Sequence, residues 1–187
     1  MGTTDKTAVV KAAATDNLYT ERILAPTIGR GASLSLFCRK GYTMLHTYNT
    51  NTQELAVNDN IAFDNNWVLT RRCNCIPVIS HETGSVAVSL NAPGIYYVAF
   101  NADSATTGNA GIVTAQLYDG SEIVPGAEAS EYSAALANPV NLAFSTLIRV
   151  CPNCPSVCNN VPAVLTVKNT GVAATYTNAT ITVTKVG

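Results

Sequence analysis

From about residue 55 to the end of the chain, apolar and polar residues alternate in short runs, and turn residues separate the runs. Leu142, Phe144, Thr146, Ile148 and Val150 fall on one face of an extended segment, and Val164 with Thr166 alternates against Leu165 and Val167. In the stretch from Ala179 to Val186 every second residue is apolar and the others are Thr or Lys. A period of two with β-branched residues predicts strands, one face toward a core and the other toward water or a neighbouring subunit. The pattern predicts strands at Asn60–Phe63, Trp67–Arg71, Val78–Ser80, Val86–Leu90, Gly94–Asp103 and Ile112–Tyr118. It continues with Glu122–Pro125, Ala129–Ala135, Val140–Val150, Ala163–Asn169 and Thr175–Val186, the last broken near Asn178. Asn91-Ala92-Pro93-Gly94, Asp119-Gly120 and Asn169-Thr170-Gly171 supply the turns. About ten short strands with almost no helix predict an all-β antiparallel β-sandwich or jelly roll.

The first part of the chain breaks this regularity. Residues 6–14 predict a short helix weakened by Thr7 and two valines, and Ser33–Phe37 alternates for one short strand. Elsewhere between Leu18 and Asn51, Pro26, Gly29, Gly31 and Gly41 interrupt any period. The segment is too apolar for a solvated tail and too broken for a core of its own, so residues 1–54 are expected to form an irregular N-terminal arm that packs against something else. Residues 55–187 are expected to form the head domain.

Composition narrows the function classes. Charged residues make up 12% of the chain, a proportion that suits packed strands better than exposed helices. Residues 1–54 hold six Lys or Arg against four Asp or Glu, and residues 55–187 hold five against eight. The basic residues cluster only at Arg39-Lys40 and Arg71-Arg72, so no nucleic-acid footprint is expected. No stretch approaches the roughly 20 apolar residues of a membrane span. The N-terminus lacks the charged and apolar regions of a signal peptide, which predicts synthesis in a cytosol.

At this point the order of several motifs carries a resemblance. Pro93-Gly94-Ile95-Tyr96-Tyr97-Val98 is followed by Ala115-Gln116-Leu117-Tyr118-Asp119-Gly120, then Val124-Pro125-Gly126, then Leu165-Thr166-Val167-Lys168-Asn169-Thr170-Gly171, and finally Ile181-Thr182-Val183-Thr184-Lys185-Val186. Over residues 55–187 the chain resembles the C-terminal jelly roll of the collagen-like glycoproteins of the bacterial spore exosporium. Those are relatives of the tumour-necrosis-factor and complement globular heads, and related modules occur in bacteriophage fibres and head decorations. The resemblance implies a ten-stranded sandwich that assembles as a homotrimer. Two departures favour a virion over a spore coat: no Gly-X-Y collagen stalk precedes the domain, and the six cysteines do not map onto the spore proteins.

The cysteines are the sharpest candidate for chemistry. Cys73 and Cys75 follow a predicted strand, and Cys151, Cys154 and Cys158 lie in a predicted loop. Four such thiolates can hold Zn²⁺ tetrahedrally, although a Cys-x-Cys pair is not the usual knuckle spacing. Disulfides formed after release into an oxidising medium, or unpaired thiols, are the alternatives. Cys38 is left over, to pair, to pack or to cross-link subunits.

Nothing else assembles a catalytic set. His46 and His81 are the only histidines, expected at the surface or in turns, and Ser80-His81-Glu82 alternates along a strand so that its side chains diverge. No Gly-x-Ser-x-Gly elbow is present. Asp103, Asp119, Glu122 and Glu128 lie on separate segments without the alternating acidic spacing of a Ca²⁺ loop. Asn178-Ala179-Thr180 is a formal glycosylation sequon. Tyr96, Tyr97, Tyr118 and Tyr132 are candidates for a sugar-stacking surface or for core edge and subunit contacts. The expectation is a non-enzymatic virion protein with no catalytic residue, cofactor or metal: a trimeric head fibre or capsid decoration. It would be made in the host cytoplasm, anchored to capsid proteins by residues 1–54, and displayed on the virion surface. A module recognising host-surface glycans and a spore-surface protein are the alternatives.

Overall fold

The computed structural model describes residues 43–69, 77–134, 138–152 and 161–187. The chain divides into two units, Met1–Phe37 and Cys38–Gly187, and the described residues all belong to the second. The predicted helix at 6–14 and the strand at Ser33–Phe37 lie outside them.

Eleven strands form two antiparallel sheets, with no helix among the described residues. They are β1 (Met44–Asn49), β2 (Gln53–Leu55), β3 (Asn65–Leu69), β4 (Ile79–His81), β5 (Val88–Leu90) and β6 (Gly94–Thr106). The rest are β7 (Gly111–Asp119), β8 (Glu122–Ser133), β9 (Val140–Val150), β10 (Ala163–Asn169) and β11 (Ala174–Lys185). The first sheet runs β3-β1-β11-β6-β9, with β2 also pairing with β11, and the second runs β4-β5-β10-β7-β8. The connections β3–β4, β5–β6, β6–β7, β8–β9, β9–β10 and β10–β11 cross from one sheet to the other, which is the jelly-roll arrangement of a sandwich.

Alternation along the strands makes the core. Tyr96, Val98, Phe100 and Ala102 of β6 and Leu142, Phe144, Ile148 and Val150 of β9 point inward from the first sheet. Val113, Ala115 and Leu117 of β7 and Leu165 and Val167 of β10 meet them from the second. Phe100 and Phe144 stack at 5.1 Å between ring centroids. One polar knot crosses this interior: the Tyr176 hydroxyl of β11 lies 3.1 Å from the Thr114 carbonyl oxygen and 3.1 Å from Asn169 Oδ1. Burial pushes the Tyr176 hydroxyl's pKa far above its ordinary value, so it stays a donor. Asn169, fully buried, spends its amide on the carbonyls of Ala56 and Val172. The polar groups of this knot are thereby satisfied, whereas Asn60 Oδ1, Thr106 Oγ1 and Thr166 Oγ1 are buried without a hydrogen bond.

Three expectations change. Residues 44–49, assigned to the arm, are a full strand of the first sheet, pairing with β11 from Met44↔Thr184 to Asn49↔Ala179. Asn60–Phe63 is buried at Ile61 and Phe63 as expected, but makes only one bridge, Asn60↔Lys168. Its amides reach backbone carbonyls in two different segments, Val167 and Ser85, so no continuous ladder forms. The strands expected at Glu122–Pro125 and Ala129–Ala135 are one strand, β8, bent at Gly126 (φ 72°) with a shifted register opposite β7.

Gly171 follows β10 and approaches β7 so closely that a Cβ there would land on the Ile112 carbonyl oxygen and 2.6 Å from Thr114 N. Both obstacles are ladder backbone and cannot rotate away. Gly171→Ala is expected to cost about 1–3 kcal/mol, read as a lower urea midpoint with an unchanged slope.

Candidate functional site

The residues that face outward from the first sheet form one continuous surface. Antiparallel register places Met44, Thr184, Tyr97 and Leu147 in one row across four strands. His46, Thr182, Ala99 and Ser145 form the next row, and Tyr48, Thr180, Asn101 and Ala143 the third. No residue in the three rows carries a formal charge with histidine neutral. Among the described residues the charged groups of this face stand at its ends: Arg149 opposite Ile95 at one, Asp103 and Glu54 at the other. Leu147 is 63% exposed and Tyr97 40%, and Ile95 and Val186 extend the same apolar strip. The exposed aliphatic and aromatic groups gather toward the Arg149 end of this face, and the other two rows are uncharged; a surface that joins an exposed apolar strip to uncharged rows suits a protein contact.

The polar groups of the face are bonded locally. His46 Nδ1 lies 2.8 Å from Thr182 Oγ1, and its ring sits 6.3 Å from that of Tyr48. At the far end Asp103 accepts from Asn141 Nδ2 at 3.1 Å and from Asn178 Nδ2 at 3.0 Å. Those two bonds, Asn178 first, hold the Asp103 carboxyl below its ordinary pKa. Asn178 has φ 51° where the β11 register shifts, so the sequon asparagine forms the bulge that breaks the strand near its middle.

The second sheet presents a different surface. Gln116 Nε2 donates to Glu128 at 2.8 Å, Thr114 and Ser130 share a bond of 2.9 Å, and Lys168 sits over the Tyr118 ring. Asp119 accepts from Val164 N at 2.7 Å. Asp103, Asp119 and Glu128 are thus engaged in cross-strand bonds, Glu122 lies at the start of β8, and among the described residues no group of three or more His, Cys, Asp or Glu is placed to hold a metal.

The tyrosines are dispersed as well. Tyr96 is buried and its hydroxyl donates to Ala92 O, Tyr97 lies on the first sheet, and Tyr118 and Tyr132 lie on the second. The four do not make one stacking surface. Of the cysteines, Cys151 follows β9 and is disulfide-bonded. Cys38, Cys73, Cys75, Cys154 and Cys158 lie outside the described residues, as do Arg39, Lys40, Arg71 and Arg72.

His81, expected at the surface, is 7% exposed on the inner side of β4. Its Nδ1 lies 2.8 Å from Asn66 Oδ1 and its Nε2 3.2 Å from the Ser85 carbonyl oxygen. A cavity of 170 Å³ beside it is lined by Ser80, Glu82, Ser85 and Ser89. Both ring nitrogens are turned to the amide and the backbone, so the histidine does not activate a serine hydroxyl in this arrangement.

Comparison with solved structures agrees with the topology, and the class these findings define is the jelly-roll sandwich of the tumour-necrosis-factor type. The crystal structure of murine APRIL at pH 5.0 is similar, with a TM-score of 0.54, 10% identity, and 78% of this chain against 100% of that one. Eiger TNF from S. frugiperda is similar at a TM-score of 0.53 and 11% identity, over 78% of this chain and 93% of that one. The globular domain of zebrafish complement 1qA protein gives a TM-score of 0.49 at 8% identity, over 75% and 94%. No protein-family model matches the chain, and no curated protein matches it by sequence.

Burial lowers the pKa of His81, and it outweighs the Ser85 carbonyl and the charge of Glu82, which act the other way. The unfolded chain therefore binds this proton more readily than the folded one. Stability is full above about pH 6.5, the ordinary histidine value, and falls as pH drops from there toward the folded value. Urea midpoints at pH 7.5 and 5.5 should show the loss, and His81→Gln should flatten it. Asp103 adds its own loss only below about pH 4, outside that window.

Proposed function

We propose that this chain is a structural, non-enzymatic protein whose head assembles as a homotrimer through the outer face of the first sheet. The observation that carries the reading is the three uncharged rows between Met44 and Leu147, an exposed face on which copies of the chain can approach without burying unpaired charge. The resemblance to trimeric jelly-roll heads supplies the stoichiometry. The same resemblance, which extends to modules of bacteriophage fibres and head decorations, supports display on a virion as a head fibre or capsid decoration anchored through its N-terminal residues.

Sedimentation at micromolar concentration tests the assembly: three times the subunit mass is expected, and a clean monomer would refute it. Leu147→Asp leaves a side chain that is already exposed in the single subunit, so the fold should survive. In the trimer the new carboxylate would be buried without a partner, at a cost of about 3 kcal/mol or more per contact, and the variant should sediment as a monomer. The anchor is tested separately. Because β1 belongs to the head, deletion of residues 2–42 is the informative truncation, and it should leave a soluble trimer that no longer attaches to its particle. Retained attachment would count against the arm.

A further inference from the structure

We infer that assembly through this face is gated by pH at His46, the trimer forming when the imidazole is neutral and separating when acid charges it. The inference rests on the trimer reading above and adds its regulation.

His46 occupies the middle row of the face, on a strand flanked by β3 and β11. Every group that meets it from these elements is neutral. On its own strand the outward neighbours are Met44 and Tyr48. Across β11 stand Thr180, Thr182 and Thr184, with Thr182 bonded to the ring at 2.8 Å. Across β3 stands Val68, with Asn65 one step along. Beyond β11 the same row continues to Ala99 and Ser145. The nearest charged residues of the face, Arg149, Asp103 and Glu54, stand at its ends, beyond the rows that flank His46.

Histidine is the one ordinary side chain whose charge changes between about pH 5 and 8. In the separate subunit a charged His46 keeps its contact with water, since the residue is only half-buried. In the trimer three such charges would be taken out of water together, and among the described residues of this face no carboxylate stands in the rows that flank them. Association then requires that each imidazolium lose its proton first. Linkage then weakens association by up to about tenfold per pH unit for each imidazolium that must lose its proton. For three copies acting together that is up to about a thousandfold per pH unit.

The sign is opposite to that of a histidine beside a carboxylate, where acid would tighten the contact. The threonine hydroxyl cannot supply the missing charge. It can accept from a charged ring or donate to a neutral one, so it holds the ring in place in both states.

The test is sedimentation of the full chain at pH 8.0, 7.0, 6.0 and 5.5, with circular dichroism at each pH to follow the fold. Wild type is expected to run as a trimer at pH 8.0 and to dissociate into folded subunits by pH 5.5. His46→Gln, which keeps a polar partner for Thr182 and cannot be charged, is expected to stay trimeric throughout. A wild-type trimer that persists unchanged to pH 5.5 overturns the gate and leaves the trimer standing. Dissociation of His46→Gln along the wild-type curve overturns the assignment to His46. A monomer at pH 8.0 overturns the trimer reading, and the gate with it. Should His46→Gln fail to fold, His46→Tyr carries the same comparison, and the wild-type series alone still decides whether the gate exists.

Discussion

The first sheet depends on its last strand. β11 pairs with β6 on one side and with both β1 and β2 on the other, so three strands lose a ladder partner if it is absent. The partners it joins are far apart in the chain; His46 and Thr182 are separated by 136 residues. The entropy of closing such loops is repaid only when the C-terminal strand docks, which ties the stability of the whole face to the final residues. Tyr176 extends the dependence across the core, because its hydroxyl is what β11 offers to Thr114 of β7 and Asn169 of β10. The same strand contributes Thr180, Thr182 and Thr184 to the outer rows, so the element that closes the sandwich also supplies the centre of the candidate interface.

The strands that read plainly from sequence are those whose inward positions are apolar. β9 and β10 occupy Val140–Val150 and Ala163–Asn169, as the alternation predicts, and β11 carries its break at Asn178. β1 did not read because two of its three inward residues are polar. Thr47 and Asn49 are buried, and they are satisfied by the carbonyls of Asn65 and Ala62. No periodicity of hydrophobicity can reveal a partner that is a backbone oxygen 13 or 18 residues away. β8 was divided for the complementary reason, since Gly126 bends the strand without ending its pairing.

The candidate face was legible only in part. The outward threonines of β11 were readable as a surface for water or a neighbouring subunit, but their continuation through Tyr97 and Leu147 depends on a register that pairs β6 with both β9 and β11. Sequence spacing says nothing about which strands are adjacent, so Tyr96, Tyr97, Tyr118 and Tyr132 looked like one group and proved to be in three places. His81 misled in the same way. The alternation of Ser80, His81 and Glu82 shows that their side chains diverge but not which face is the core, and pairing beside buried Val88 turns His81 inward toward Asn66.

The two outer faces of the sandwich differ in how their polar groups are spent, and that difference is what favours the first sheet in the proposed assembly. On the second sheet Gln116 with Glu128, Thr114 with Ser130 and Lys168 with Tyr118 pair across strands, and the charges among them would have to be desolvated for anything to dock there. The exposed pair Ile112 of β7 and Tyr132 of β8 stands at one end of that surface, and β8 also carries Glu128 and Glu131. On the first sheet the three rows have no charge to desolvate with His46 neutral, and Thr182 and Thr180 are bonded to His46 and to the Asn101 carbonyl on the adjacent strands. Covering that face removes Tyr97 and Leu147 from water at little electrostatic cost, provided that His46 is neutral. A single ionisable group in an otherwise uncharged interface is enough to set the conditions under which the interface forms.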